Sequence, residues 1–250
     1  MTPITTSTIR HSFRRFFPLS CAGCDGHVTG GAGFCEICEP TVHPIAAPAC
    51  AICQVPMESF ETPRHGASEC SRCRQNRPHF DTARALWEYE GAVADALRRI
   101  KYGADFPALR ALCRQARPWF VDQLREVEDK SRLIPVPSYP SELRRRGFHV
   151  PSMALRLLLK GAPVPTIIDS GLKKTRATEQ QAGLTYDGRR KNIRSAFDYG
   201  PGFAPRGQAI LFDDVMTTGA TADEGARALR RAGFSTVKVI VLARAPMGVG

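Results

Sequence analysis

The sequence predicts an α/β protein built on a parallel sheet and preceded by a small cysteine-rich, zinc-binding module. Three observations carry that prediction. First, apolar runs such as Ala209–Phe212 and Val237–Leu242, the latter interrupted only by Lys238, alternate with amphipathic helical stretches. A strand buried on both faces of a parallel sheet needs such a run. Second, the run at 209–212 passes through Asp213 and Asp214 into the hydroxyl-rich Thr217-Thr218-Gly219-Ala220-Thr221 and then a helix. Strand, loop and helix N-terminus in that order make an anion cradle, because unpaired N–H groups and the helix dipole converge there. Third, eight of the nine cysteines stand in four C-x-x-C pairs at the front of the chain.

A chain of 250 residues can hold one sizeable core plus a small appendage. No apolar run approaches the ~20 residues that span a bilayer. Residues 1–20 lack the apolar segment of a secretory signal and read as a tail bearing Arg10, Arg14 and Arg15, with Phe13, Phe16 and Phe17 tucked against the next domain. A cytoplasmic protein is expected. The net charge of +11 is uneven: residues 1–80 hold seven arginines against six acids, whereas residues 144–194 hold twelve Lys or Arg against three. That concentration points to an anionic substrate, nucleic acid, or both.

The cysteine pairs are Cys21/Cys24, Cys35/Cys38, Cys50/Cys53 and Cys70/Cys73. A C-x-x-C turn brings two thiolates to adjacent corners of a tetrahedron, and two such turns close a four-sulfur zinc site. Two structural zinc ions are therefore expected in residues 21–75, with sequential pairing preferred over interleaved pairing but not fixed by spacing. Without a secretion signal a disulfide framework is the weaker reading. All positions filled by sulfur leave no place for a catalytic water. Eight thiolates with two Zn2+ add about −4, so this module is a poor non-specific binder of nucleic acid. Cys113, with Leu109, Leu112 and Trp119 in one helical pattern, is expected as a buried thiol.

Residues 54–69 read as a loop and 74–81 as a basic link into a main domain over residues 82–250. Its expected elements run in order along the chain. Thr82–Tyr89 is a strand, Val93–Tyr102 an amphipathic helix, and Phe106–Val127 a helix interrupted near Pro118. Leu133–Pro137 is a strand, Pro151–Leu159 a helix and Thr166–Ile168 a brief strand. After the strand at 209–212, Thr221-Ala222-Asp223-Glu224 has the form of a capping box that opens a helix, and Gly233 is its natural stop.

Two carboxylates beside an anion cradle would repel a phosphate, so they more naturally accept hydrogen bonds from sugar hydroxyls next to it. A ribose 5-phosphate fits both halves. Neither G-x-x-x-x-G-K-[ST] nor G-x-G-x-x-G is present there. The run Ala209–Thr221, four apolar residues, two acids, two apolar residues and Thr-Thr-Gly-x-Thr, resembles the phosphoribosyl-pyrophosphate (PRPP) motif of type I phosphoribosyltransferases.

The resemblance extends further. Four C-x-x-C pairs, Lys101-Tyr102-Gly103, the IPVP strand at 134–137, Arg146-Gly147-Phe148, Thr178-x-x-Gln181-x-x-Leu184, Arg189-x-x-Asn192, Ala196-Phe197 and Leu242-Ala243-Arg244 together resemble the ComF family, some of whose members are linked to competence for DNA uptake. That family commonly reads RGFNQ where this chain has His149-Val150 after Phe148, which alters the polar contact Asn-Gln would make. The resemblance implies a type I phosphoribosyltransferase fold behind a double zinc ribbon. It also implies transfer of ribose 5-phosphate from PRPP, with Mg2+, to an acceptor the sequence does not identify.

Asp213 and Asp214 would be the catalytic, ribose-contacting pair. Met216, Thr217, Thr218, Gly219, Ala220 and Thr221 would hold the 5-phosphate, and the turn Pro137-Ser138-Tyr139 the pyrophosphate. Residues 171–191 would form a closing loop carrying Lys173, Lys174, Arg176, Arg189, Arg190 and Lys191, with Gly183 and Gly188 for freedom; Lys174 and Arg176 are its named PRPP ligands. No general base is evident, and His149 reads as structural. The alternative is a module that binds PRPP and single-stranded DNA without turnover, with competence proteins as possible partners.

Overall fold

The computed structural model describes residues 19–28, 33–57, 68–125, 127–128, 131–162, 166–178, 186–200 and 207–246. The expected tail up to residue 18, the centre of the 54–69 loop, and Gln181, Gly183 and Leu184 of the expected closing loop lie outside them, whereas Leu19 and Ser20, also expected in the tail, form a short strand.

Five parallel strands form the central sheet: β3 (Thr82–Glu88), β4 (Ser131–Pro135), β5 (Thr166–Ile168), β8 (Gln208–Met216) and β9 (Thr236–Arg244), in the order β3-β9-β8-β4-β5. Two short antiparallel pairs accompany it, β1 (Leu19–Ser20) with β2 (His27–Val28), and β6 (Leu172–Lys174) with β7 (Phe197–Tyr199). The helices are α1 (Ser71–Gln75), α2 (Gly91–Gly103), α3 (Phe106–Gln123), α4 (Pro140–Arg146), α5 (Val150–Leu158), α6 (Tyr186–Ile193) and α7 (Ala220–Ala232).

Alternate residues of the central strands face two separate cores, which is why those strands read as unbroken apolar runs. Leu133, Ile210, Phe212, Ile240 and Leu242 pack with Leu97 and Ile100 of α2, Leu112 and Phe120 of α3, and Leu155 and Leu158 of α5. Phe120 meets Phe212 edge to face, ring centroids 5.4 Å apart. On the other face Ile134, Leu211, Val239 and Val241 pack with Ala226 and Leu229 of α7 and with Leu172, Phe197 and Tyr199.

Three sequence expectations are corrected. α3 runs through Pro118 without a break. One missing N–H costs less than burying Ala116 and Phe120, on either side of it, in the first core gains. The helix after the acid pair begins at Ala220, one residue before the expected cap, with Gly219 at its N-cap in the left-handed region (φ 83°) and no side-chain cap. The capping box does not form, because Glu224 turns away to accept from the Ser195 N–H (2.8 Å) and from Arg227 (2.6 Å). The strand does not stop at the acids: β8 continues to Met216, since Asp213 and Val215 pair in register with Val241 and Ala243. Gly233 ends α7 as expected, at φ 106°.

The cysteine-rich segment covers what would otherwise be the open edge of the sheet. Glu88 N–H donates to His43 O (2.8 Å), Ile45 N–H to Leu86 O (2.9 Å) and Ala83 N–H to Ile52 O (2.6 Å). Its first half joins the first core through Cys21, Ala22, Val28 and Phe34, and its second half joins the other core through Cys50, Cys53, Val55, Cys70 and Cys73. Thr41 Oγ1 accepts from the Ala92 N–H (3.1 Å), supplying to α2 the cap that Glu90 does not provide. Gly91 is needed at that junction, because its φ is +48° and a Cβ would run into Thr41 O.

Candidate functional site

The chain leaves β4 for β5 on one side and leaves β8 for β9 on the other, so the sheet order reverses between β4 and β8. In open parallel sheets that switch point opens a crevice beyond the C-terminal strand ends, where ligands bind. A cavity of about 520 Å3 lies there, lined by Val136, Pro137 and Ser138 after β4 and by every residue from Asp213 to Ala222. Of the sequence-named ligands, Asp213, Asp214, Met216, Thr217, Thr218, Gly219, Ala220, Thr221, Pro137, Ser138 and Lys174 are thereby brought together.

Two named residues stand apart from the lining. Tyr139 precedes α4, its N–H 3.4 Å from Glu142 Oε2. Arg176 binds the carbonyls of Asn192 (2.7 Å) and Arg194 (2.6 Å) and so ties β6 to the end of α6. Lys174 is at the cavity but is not a free loop cation, since its Nζ lies 2.9 Å from Glu142 Oε1 with the side chain 8% exposed. Of the other expected loop cations, Lys173 and Lys191 are exposed, and the side chains of Arg189 and Arg190 lie outside the described residues.

The electrostatic centre is the acid pair. Asp214 is 3% exposed, and Lys101, from the last turn of α2, places Nζ 2.7 Å from its Oδ2. Burial alone would raise the Asp214 carboxyl, but the Lys101 charge outweighs it and holds the group below its ordinary value. The neighbouring Asp213 takes the opposite course: burial, then the Asp214 charge, push it well above the usual carboxylate range. Asp213 Oδ1 accepts from the Asp214 N–H (2.9 Å). A carboxyl whose charge Lys101 favours thus stands beside one whose charge is disfavoured, a common way of dividing roles between two acids.

Positive charge at the cavity comes from an element the sequence did not announce. Arg145 and Arg146 of α4 line it, together with the Thr217–Thr221 loop, as do Tyr89, Tyr102 and Thr178. Tyr102 is 79% exposed at the rim. Lys101 and Arg146 were both visible as motif residues, in KYG and RGF, but nothing in the sequence said what they face. His149 is structural, as expected. Its Nε2 lies 3.0 Å from Val136 O, to which it donates, and its Nδ1 lies 2.7 Å from Ser152 Oγ, so both ring nitrogens are engaged. Burial lowers its pKa and keeps the ring neutral.

The cysteines form two clusters, Cys21/Cys24/Cys35/Cys38 and Cys50/Cys53/Cys70/Cys73, the sequential pairing. Within each, the four sulfurs lie within 4.8 Å of one another. The Cys24–Cys35 and Cys53–Cys70 separations of 3.6 and 3.8 Å match the edge of a tetrahedron with Zn–S bonds of about 2.3 Å. Backbone N–H groups of Gly23 and Cys35 point at Cys21 Sγ, and that of Cys70 at Cys50 Sγ, each at 3.3 Å, as donors to thiolate. The donor sets fit two structural zinc ions. Cys113 is 2% exposed and burial pushes its thiol up to about 12, which makes it inert.

A five-stranded parallel α/β sheet with a crevice at its switch point, edged by two four-cysteine clusters that fit zinc, defines the class: an α/β protein with an attached zinc-ribbon-like segment. Residues 13–77 match the family model described as a double zinc ribbon domain. The chain is 27% identical to competence protein F of Haemophilus influenzae over 235 residues, covering 92% of this chain and 99% of that protein. It is 27% identical to DNA utilization protein YhgH of Escherichia coli over 217 residues, covering 86% of this chain and 92% of that protein. The Shigella flexneri protein of the same name is 26% identical over the same shares. The chain is thus a homologue of ComF-type proteins along most of its length. Among the described residues, no helix is long and apolar enough to cross a membrane.

Proposed function

We propose that the unit over residues 82–250 binds PRPP in the switch-point cavity and transfers ribose 5-phosphate to an acceptor, releasing pyrophosphate. The observation that carries this reading is the meeting of three features in one cavity of about 520 Å3: the Thr217–Thr221 loop at a helix N-terminus, the acid pair, and the Pro137-Ser138 turn with Arg145 and Arg146. The loop N–H groups and the hydroxyls of Thr217, Thr218 and Thr221 take the 5-phosphate. Asp214 in its charged form, and Asp213, accept from the ribose hydroxyls. Arg145 and Arg146 stabilise charge on the pyrophosphate as the C1–O bond breaks and the leaving group takes the electron pair, while the acceptor forms the new bond to C1. The carboxylate oxygens are hard donors suited to Mg2+. Lys101 already occupies one oxygen of Asp214, so Asp213, once it gives up its proton, is the residue that would meet a magnesium ion. When bound, Mg2+ supplies further charge neutralisation at the leaving pyrophosphate.

A second reading has its own support. Among the described residues no histidine lines the cavity, and the carboxylate of Glu142, which does, is paired with Lys174. The relatives' names concern competence and DNA utilization rather than transfer chemistry. On this reading PRPP is bound without turnover, and the exposed basic face around Lys191 and Arg194 binds single-stranded DNA. Incubation with PRPP and Mg2+ separates the two: acceptor-dependent release of pyrophosphate supports transfer, and tight binding with no release supports the binding module.

A further inference from the structure

Arg244, at the end of β9, is a cation 1% exposed, buried between the second cysteine cluster and the loop after β8. Its Nε donates to Cys53 O (3.1 Å), and its Nη1 donates to Met216 O (3.0 Å), Thr217 O and Ala245 O (2.8 Å). Its Nη2 faces Cys53 Sγ at 4.0 Å. Among the described residues no carboxylate pairs with it. A void of only about 30 Å3 separates the cluster from the loop here, walled by Cys53, Cys73, Thr218, Gly219 and Arg244. A buried guanidinium without a counter-charge is costly. Four thiolates around Zn2+ carry a net charge of about −2 and supply one.

The peptide unit is planar and trans, so each C=O points opposite to the following N–H. The Met216 carbonyl also accepts from the Ala245 N–H (3.0 Å), so β9 and Arg244 together set the Thr217 N–H; by holding the Thr217 carbonyl on the zinc side, Arg244 turns the Thr218 N–H the other way. We infer that Arg244 is a positioning residue that aims the phosphate-binding amides into the cavity, and that the Cys50/Cys53/Cys70/Cys73 zinc site acts on ligand binding through it. The zinc half of this inference rests on the PRPP reading; the positioning of the loop does not. Lysine in place of Arg244 keeps the charge but lacks the fork that spans two carbonyls and the cluster.

Two measurements on the full zinc-loaded chain test this. The first is amide hydrogen exchange at residues 217–221 in the parent, Arg244→Lys and Arg244→Met. Both variants are expected to exchange there about tenfold faster or more, the worth of one charged hydrogen bond, while α5 exchanges as in the parent. Parent-like exchange at 217–221 in a folded Arg244→Lys overturns the positioning role. The second is zinc release to a chromophoric chelator, with and without PRPP and Mg2+, which needs no variant. Coupling is reciprocal, so the ligand should slow loss from the Cys50 cluster and leave the Cys21 cluster unchanged. Ligand that binds yet protects neither cluster, or both equally, overturns the zinc link. If exchange accelerates in the variants but the parent does not bind PRPP, the phosphate-ligand reading fails and the positioning role stands.

Discussion

Lys101 Nζ lies 2.7 Å from Oδ2 of Asp214, a buried oxygen with no other partner among the described residues. The contact ties the last turn of α2 to β8 just ahead of the loop at 217–221. Helix α2 is itself capped by Thr41 of the first zinc unit, so the acid pair is held from that side as well. Lys101→Met leaves the Asp214 carboxylate buried and unpaired. Breaking a buried pair costs about 3–5 kcal/mol, and with the Lys101 side chain 23% exposed the low end is expected. Thermal melting should show a loss of several degrees, and carboxyl titration should show Asp214 moving up. An unchanged melting temperature would mean that the pair does not hold α2 to β8.

The acid pair predicts an unusual pH profile. The folded pKa of Asp213 is raised, so its contribution to stability is fully present below its unfolded pKa and is lost as pH rises through the folded value. That of Asp214 is lowered, so its contribution is present above its unfolded pKa and is lost as pH falls through the folded value. Stability carried by the pair should therefore increase as pH falls through the Asp213 transition and collapse only in stronger acid. Asp213→Asn removes the first transition and should melt higher than the parent near neutral pH, each kcal/mol gained appearing as about 2–4 °C. Stabilities of the two proteins that stay parallel with pH throughout the range above the ordinary carboxylate value would refute the assignment.

Local chemistry was legible in the sequence and long-range contact was not. A C-x-x-C spacing dictates its own geometry, so both zinc sites could be read from the cysteines, and the Ala209–Thr221 run carries its strand, acids and loop in one piece. The partners of those pieces come from elsewhere in the chain. Lys101 sits in an ordinary amphipathic pattern, and only the packing of α2 on the sheet shows that it faces Asp214. Arg244 was a lone charge closing an apolar strand, a signal that it is either exposed or held by a buried network. The capping box at Thr221 failed for a related reason, since Glu224 found Arg227 and the Ser195 N–H instead of its own helix start. Helices α4 and α6 are short and rich in charge, and neither has the apolar stripe that announces a helix.

Metal loss should occur in two stages. The first cluster is partly open, with Cys24 exposed and Cys35 and Cys38 half-buried, whereas all four cysteines of the second are buried. Elemental analysis should find close to two zinc ions per chain. A chelator should remove the first quickly and the second slowly, with the larger drop in melting temperature accompanying the second. A single-phase release, or disulfides in non-reducing peptide mapping, would contradict this.

Nucleic-acid binding, if carried by the basic face, should depend on salt through exposed cations and not through Lys174, which is paired with Glu142. Lys191 and Arg194 are exposed and line one shallow cavity of about 330 Å3 with His79 and Arg227, which are paired there with Asp223 and Glu224. Replacing both with alanine should lower the slope of log affinity against log salt for single-stranded DNA by about 1.4, roughly 0.7 for each phosphate contact. A slope that does not change places any DNA contact elsewhere.

The central claim is that the Thr217–Thr221 loop holds the phosphate of PRPP, and Gly219 tests it most directly. Its φ of 83° lies in the left-handed region, while a Cβ there would meet nothing nearer than Met216 Sδ at 3.8 Å. Gly219→Val should therefore disturb the loop backbone and leave the cores intact, since a β-branched residue is strongly disfavoured at that conformation. Calorimetric titration of PRPP with Mg2+ into the parent and Gly219→Val is the measurement. The expected result is binding by the parent and a loss of at least about tenfold in the variant, the equivalent of one charged hydrogen bond to the phosphate. Equal affinity in two folded proteins, or no binding by the parent, would contradict the claim.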